Sequence, residues 1–296
     1  MTGARVAVVG CGRWGALVVA DLRSLGAEVV TVDVDAERDP DVADIADAGA
    51  VAAIVVATPA STHADVLRSV APLGVPVLCE KPLTASVADA EDVVALLGDR
   101  LHVLHVWRYH LGVELLGELA RGGVLGEVHG MRSVRDGWTS PRTDVDAVWT
   151  LVPHDLTLAI EVLGRIPTPR AALAEVLGGR AVGLWAQLGG AGEPFLAVEA
   201  STRFGDKRRE VRVHGSEAVA VLPHVDAAEV VLERGSGEAP DVERIPFVPD
   251  PPLRRTLAAF LDHVVGSGTP PKSSGSEGLE VVRAIAALRD LAGLAP

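Results

Sequence analysis

Chemistry-bearing side chains concentrate in one run, Val75-Pro76-Val77-Leu78-Cys79-Glu80-Lys81-Pro82-Leu83. A β-branched apolar stretch gives way to a carboxylate, an ammonium and a proline. The pattern is a buried strand that delivers Glu80 and Lys81 at its C-terminal end. In an open parallel α/β sheet, ligands bind outside the carboxyl ends of the strands. A lysine held there can give or take a proton at a substrate oxygen. The plainer alternative is a surface pair closing a strand, which contributes little.

A second group is Gly10-Cys11-Gly12-Arg13-Trp14-Gly15. A G-x-G-x-x-G string alone is a weak signal. Here it follows the apolar strand Arg5–Val9 and opens a helix with Trp14, Leu17, Val18, Leu22 and Leu25 on one face. It also precedes a second strand, 29–32, that ends in Asp33. Each feature suits a dinucleotide. Gly10 permits the tight turn, Gly12 lets backbone approach the pyrophosphate, Gly15 lets the helix pack closely, and the helix N-terminus faces the phosphates. Asp33 stands where a carboxylate takes ribose hydroxyls and repels a 2′-phosphate, so NAD(H) is expected over NADP(H). Cys11 reads as a small filler.

These groups need a frame. A strand at 53–57, a helix from His63, a helix at 86–97 and a strand at 101–106 continue the alternation. Alternating β and α over 4–106 predicts a doubly wound α/β domain. After a helix at 113–121 the pattern changes. Strand-like runs at 182–188, 195–204, 210–214, 229–233 and 242–248 are separated by Gly, Pro and charged turns. Glu210–His214 alternates strictly, so one face of that sheet is wet. Lys207-Arg208-Arg209 reads as a hairpin turn. Helices are expected at 152–163, 253–265 and 277–294. The domains are expected at 1–120 and 121–296, with the last helix able to pack back on the first domain.

Composition bounds the function. The chain has 296 residues, 48% hydrophobic and 23% charged, enough for two packed domains. A formal charge of −13 argues against nucleic acid and anionic membrane as partners. No apolar run reaches the ~18 residues that span a bilayer. Two cysteines and no secretory leader point to a reducing cytoplasm. No metal-ligand spacing appears among the histidines, because His102 and His105 are expected on opposite faces of a strand. No G-x-S-x-G elbow supports a hydrolase.

Three motifs in order, Gly10-x-Gly12-x-x-Gly15, Ala57-Thr58-Pro59-x-x-x-His63 and Glu80-Lys81-Pro82, resemble those of the Gfo/Idh/MocA oxidoreductases, the glucose–fructose oxidoreductase and inositol dehydrogenase family. Trp107-Arg108-Tyr109, the segment Gly122–Val128 and Pro153-His154-Asp155-Leu156 extend the likeness over nearly the whole chain. The resemblance implies a Rossmann domain joined to an α+β domain on a large, mostly antiparallel open sheet. It implies NAD(P)-dependent hydride transfer at a sugar, nucleotide sugar or cyclitol, and a homodimer or homotetramer formed through that sheet. It implies cofactor binding by Gly10, Gly12, Arg13, Trp14, Gly15, Asp33, Thr58, Pro59, His63, Glu80 and Lys81. It implies substrate binding by Arg108, Tyr109, Trp138, Thr150, His154 and Asp155, with Lys81 and His154 handling the proton in a cleft between the domains. The arginines from Arg132 to Arg142 join these candidates. Trp107, Tyr109, Trp138 and Trp149, four of the ten aromatics, could line such a cleft and suit the apolar face of a sugar ring. Asp155 is adjacent to His154 on a helix and so does not face it.

One departure matters. Inositol-dehydrogenase-like members carry an aspartate four residues before this histidine, where this chain has Thr150. Threonine is no carboxylate base. The alternative to an enzyme is therefore a cofactor-binding regulatory or interaction protein of the same fold that has lost catalysis.

Overall fold

Unbroken apolar runs build the first sheet, because strands covered on both faces have no polar side to show. The computed structural model describes residues 3–138, 143–235 and 241–295. Strands β1 (Arg5–Val9), β2 (Glu28–Val32), β3 (Ala53–Val56), β4 (Val77–Glu80) and β5 (Leu101–Leu104) form a parallel five-stranded sheet in the order β2-β1-β3-β4-β5. Register runs Val6 to Val29 and Ala53, Ile54 to Val77, and Val77 to Leu101. Helices α1 (Arg13–Ser24), α2 (His63–Val70) and α3 (Val87–Leu97) connect successive strands. Ser86 caps α3 as expected, accepting from the Asp89 N–H at 3.3 Å. The acidic stretch after β2 makes only short 3₁₀ turns.

The chain divides by contact into two units. One is Met1–Val106 with Pro251–Val282; the other is Trp107–Asp250 with Arg283–Pro296. The expected boundary near residue 120 thus moves to 106/107. Helix α4 (Leu111–Arg121) belongs to the second unit because Val113 and Leu116 bury against that unit's helix and sheet. The C-terminal segment divides as well. The helix Pro252–Val264 joins the first unit, where Leu257, Phe260 and Leu261 share one core with Val6, Val8, Val18 and Leu22. The final helix, Gly275–Leu291, contributes residues to both units.

The second unit holds an eight-stranded sheet. Its strands are β6 (Val128–Trp138), β7 (Pro169–Leu177), β8 (Arg180–Gly190), β9 (Glu193–Ser201), β10 (Arg203–Gly215), β11 (Ala218–Leu222), β12 (Glu229–Arg234) and β13 (Asp241–Pro246). The order is β13-β12-β11-β10-β6-β9-β8-β7, antiparallel except for the β6–β9 pair. The sheet thus matches the mostly antiparallel expectation. Helices α4 and α5 (Ala147–Leu163) cover one face. Lys207-Arg208-Arg209 is not a hairpin turn. It lies inside β10, where Arg208 and Arg209 pair with Asp136 and Arg135 of β6. The ladder keeps this basic run extended against an acidic partner. Helix α5 starts five residues earlier than expected, because the Asp146 carboxylate accepts from the Val148 and Trp149 N–H groups at 3.0 and 3.3 Å. The helices after β13 are α6 (Pro252–Val264) and α7 (Gly275–Leu291). No helix among the described residues is long and apolar enough to cross a membrane.

His102 on β5 meets α6. Its ring lies edge-on to His263 at 5.2 Å and to Phe260 at 6.2 Å. Neither of its ring nitrogens has a hydrogen-bond partner among the described residues. Burial first, and His263 second, outweigh Asp99 and push its pKa down to about 4. The unfolded chain takes a proton near the ordinary value of ~6.5. The stability from a neutral His102 is therefore present above that pH and lost as pH falls through about 4. Urea unfolding should show wild type losing up to ~3 kcal/mol more than His102→Leu across this window. Parallel pH profiles for the two proteins would refute the assignment.

Candidate functional site

The order β2-β1-β3 puts a topological switch between β1 and β3, where an open α/β sheet leaves a crevice for a nucleotide. Backbone lines that crevice. Gly10 follows β1 with φ of +103°, and a Cβ there would meet the Ala57 and Thr58 backbone at 2.7 Å. A Cβ on Gly15 would lie 1.9 Å from the Gly10 carbonyl oxygen. Gly12 is the N-cap of α1, whose first turn carries no acidic side chain. The Thr58 hydroxyl is buried with no hydrogen-bond partner among the described residues. A cradle that a Cβ would fill, a helix N-terminus clear of negative charge and an orphaned hydroxyl beside them fit a dinucleotide pyrophosphate.

Around this cradle the candidates divide. Arg13 is exposed on the first turn of α1 and Pro59 is exposed after β3. Trp14 turns inward, packed against the core under α1 and α6. Asp33 is well placed at the end of β2, 7% exposed as a side chain. Its carboxylate accepts from the Cys11 N–H at 2.7 Å, the Asp35 N–H at 3.0 Å and Arg38 Nη1 at 3.1 Å. Burial alone would raise its pKa, but these donors hold it below the usual carboxylate range. The Cys11 thiol is pushed up by burial and by Asp33, so it acts as a filler and not as a thiolate.

Glu80 ends β4 and Lys81 follows it, before a cis peptide to Pro82. Lys81 Nζ lies 3.8 Å from Glu80 Oε1, with the side chains 12% and 7% exposed. The pair is thus nearly buried, not the solvated strand closure that the sequence also allowed. His63 lies between two strand ends. Its Nδ1 is 2.8 Å from the Pro82 carbonyl oxygen and its Nε2 is 3.0 Å from that of Thr58. The fully buried ring ties the Lys81 loop to the rim of the crevice as a strut.

In the second unit, His154 and Thr150 share one face of α5, four residues apart. Pro153 between them has no N–H for the Trp149 carbonyl, so one rung of the helix is missing beside His154. The His154 ring meets Trp107 edge-on at 6.2 Å, and Arg135 lies over the same Trp107 ring at 5.1 Å. The Thr150 hydroxyl turns back on its own helix, donating to the carbonyls of Asp146 and Ala147 at 3.2 Å.

Other substrate candidates belong elsewhere. Asp155 is fully buried. It accepts from Arg135 Nε at 3.0 Å and from the Ser133 hydroxyl at 2.6 Å, so it locks α5 to β6 instead of meeting substrate. Arg108 is buried and paired with Glu161 at 3.2 Å, and Tyr109 is buried beside it in sequence. Trp138 is 68% exposed at the end of β6, with Arg203 stacked over it at 4.8 Å. Of the arginines considered, Arg132 faces out of the sheet, Arg135 faces inward, and Arg142 lies outside the described residues. Sequence reading named Trp107 and Arg135 but missed Ser133 and the way Arg135 of β6 bridges Trp107 and Asp155, which spacing does not report. It missed Asp146 too, although Asp146-Ala147-Val148-Trp149 is an N-cap signal. No metal-holding cluster occurs among the described residues.

A nucleotide-type crevice on a parallel sheet, followed by a large open sheet carrying a histidine helix, defines a two-part class of oxidoreductase-like folds. Residues 4–107 match the model of the oxidoreductase family with an NAD-binding Rossmann fold. Inositol 2-dehydrogenase of Pseudarthrobacter chlorophenolicus is 38% identical over 144 residues, 42% of this chain and 43% of that protein. UDP-N-acetylglucosamine 3-dehydrogenase of Acidithiobacillus ferrooxidans is 26% identical over 96% of both chains. A solved levoglucosan dehydrogenase, in complex with NADH and L-sorbose, shares the fold with a TM-score of 0.86 and 16% identity over 99% of this chain and 97% of its own. The likeness to the Gfo/Idh/MocA oxidoreductases is carried by residues 4–107, the NAD-binding Rossmann part of the chain. The inositol dehydrogenase match spans less than half of that relative's own length.

The reassignment of Asp155 has a direct check. Asp155→Asn keeps shape and the Ser133 contact but leaves the Arg135 charge buried without its partner. Urea unfolding should show a loss of ~3–5 kcal/mol, the cost of breaking a buried pair from one side. Unchanged stability would return Asp155 to the list of ligand contacts.

Proposed function

We propose that this protein transfers hydride between NAD(H) and a carbinol or keto carbon of a sugar, nucleotide sugar or cyclitol. The observation that carries this reading is the nearly buried Lys81 at the end of β4, tied through His63 to the rim of the crevice beside Gly10 and Thr58. When bound, the nicotinamide gives or takes the hydride; orientation and proton management fall to the chain. Gly10, Gly12 and Gly15 leave room for the pyrophosphate. Asp33 takes the adenosine ribose and disfavours a 2′-phosphate, so NAD(H) is the better ligand. Lys81 carries a proton to or from the reacting oxygen. His154 on α5, edge-on to Trp107, is the second unit's candidate for proton handling. Similarity to relatives named for inositol and UDP-N-acetylglucosamine supports this substrate class.

A panel of cyclitols, sugars and nucleotide sugars, offered with NAD⁺ and with NADH, tests the reading by absorbance. Lys81→Met should lower kcat ~100-fold or more on any active substrate, the scale of a general acid–base group. It should leave NADH affinity nearly unchanged. Near-normal turnover in this variant would sink the role of Lys81. One observation favours the second reading, a catalytically silent cofactor-binding protein. The Thr150 hydroxyl, at the position of the family's aspartate, is spent on its own helix. NADH binding with no turnover across the whole panel would establish that reading.

We also propose that a second copy covers the outer face of the eight-stranded sheet. That face carries a shallow cavity of ≈ 610 Å³ lined by Arg132, Val134, Leu173, Trp185, Glu199 and Arg208, among others. Leu173 is 67% exposed and Trp185 41%. Arginines and glutamates alternate across the apolar centre, which suits a two-fold, self-complementary contact. Light scattering should find a dimer or tetramer that Trp185→Glu converts to monomer. A monomeric wild type would overturn this assignment.

A further inference from the structure

Asp33 is already engaged. A carboxylate offers about four lone-pair sites. Three are taken: by the Cys11 N–H, the Asp35 N–H and Arg38 Nη1. The first two donors are backbone and fixed by the fold. The third is a side chain, 41% exposed, at the end of a 3₁₀ turn, Ala36–Arg38, that Asp35 caps. Arg38 Nε is also held by Asp35 Oδ2 at 3.1 Å. The same guanidinium borders the glycine loop, since a Cβ on Gly12 would stand 3.3 Å from its Nη1. A single half-exposed cation thus stands between the ribose-reading carboxylate and the phosphate-reading backbone.

This arrangement has opposite consequences for the two nicotinamide dinucleotides. A free ribose diol needs acceptor sites on Asp33, and Arg38 occupies one of them. A 2′-phosphate is repelled by a bare carboxylate, but Arg38 both neutralises that charge and offers a planar fork of donors to the phosphate. Val34, the residue after Asp33, is 91% exposed and brings no charge. Arg38 is thus the cation placed on Asp33 itself, five residues along the chain from it.

We propose that Arg38 sets the ratio of NADP(H) to NAD(H) affinity, masking Asp33 from the ribose diol and supplying the cation that a 2′-phosphate needs. The assignment rests on the dinucleotide reading of the crevice. It adds to that reading that the preference for NAD(H) is softened by one side chain. Removing the guanidinium moves the two affinities in opposite directions: NADH binds as tightly or more tightly, and NADPH more weakly.

Isothermal titration of the full chain with NADH and with NADPH, without substrate, tests this. Arg38→Gln should weaken NADPH binding ~10-fold or more, the scale of a lost charge-assisted hydrogen bond, while NADH binding holds or improves. Arg38→Lys keeps a positive charge and should retain most of the NADPH affinity, which separates loss of charge from damage to the loop. Thermal melts of both variants should stay close to wild type, since Asp33 keeps its two backbone N–H donors when the half-exposed guanidinium is replaced. An affinity ratio in Arg38→Gln within ~2-fold of wild type would overturn the role of Arg38 and leave the dinucleotide site standing. Failure of the wild type to bind either dinucleotide would overturn the site and this assignment together.

Discussion

The structure of the first unit depends on one close approach. The N-terminal turn of α1 rests on the end of β1 so tightly that a single carbon on residue 15 would fall 1.9 Å from the Gly10 carbonyl oxygen. Only a pair of glycines allows it. The approach brings the end of α1 against the β1–β3 switch point, where the chain on either side diverges to opposite edges of the sheet. From it follow the space for a phosphate, the reach of the Cys11 N–H to Asp33, and the contact of Gly10 with the Ala57–Thr58 backbone. The second rim is then tied to the first by His63, whose ring spans the carbonyls of Thr58 and Pro82. Two loops from non-adjacent segments are thereby fixed by one buried side chain.

The second unit uses charge where the first uses glycine. Its helix-covered sheet face buries Arg135 with Asp155, and its helix α5 holds Glu161 against Arg108. Such pairs cost desolvation and return it only through good geometry. What they add here is fixed orientation: α5 cannot rotate without breaking the Asp155 contacts to Arg135 and Ser133. The face of α5 that carries Thr150 and His154 is thus set by the buried contacts of Asp155 with Arg135 and Ser133. On the uncovered face, Asp136 follows another logic. Burial, and then Glu199, raise its pKa to about 6 against the pull of Arg208.

Much of the first unit was legible because its signals are local. Apolar runs of the right length, a glycine string between strand and helix, and Asp33 at a strand end all lie within a few residues of what they position. The Glu80–Lys81 pair and the mostly antiparallel second sheet were legible through family likeness. The misread residues share one property: their partners are distant in sequence. Asp155 looks like a ligand until Arg135, twenty residues away, closes on it from β6. Arg108 looks available until Glu161 of α5 is found beside it. Lys207-Arg208-Arg209 looks like a turn until the facing strand supplies Asp136. Periodicity reports which way a residue points; it does not report what waits there.

The return of Pro251–Val282 to the first unit has a consequence for synthesis. On the ribosome, β1 to β5 emerge early, but Leu257, Phe260 and Leu261, which close the core over Val6, Val8 and Leu22, emerge near the end. The 176 residues between positions 106 and 282 take about 9–35 s to translate at ~5–20 residues per second. For that interval the nascent sheet carries an uncovered apolar face while Trp107–Asp250 of the second unit is being made. The first unit is therefore closed only after most of the second has been made, and its uncovered face is what a holdase would have to shield.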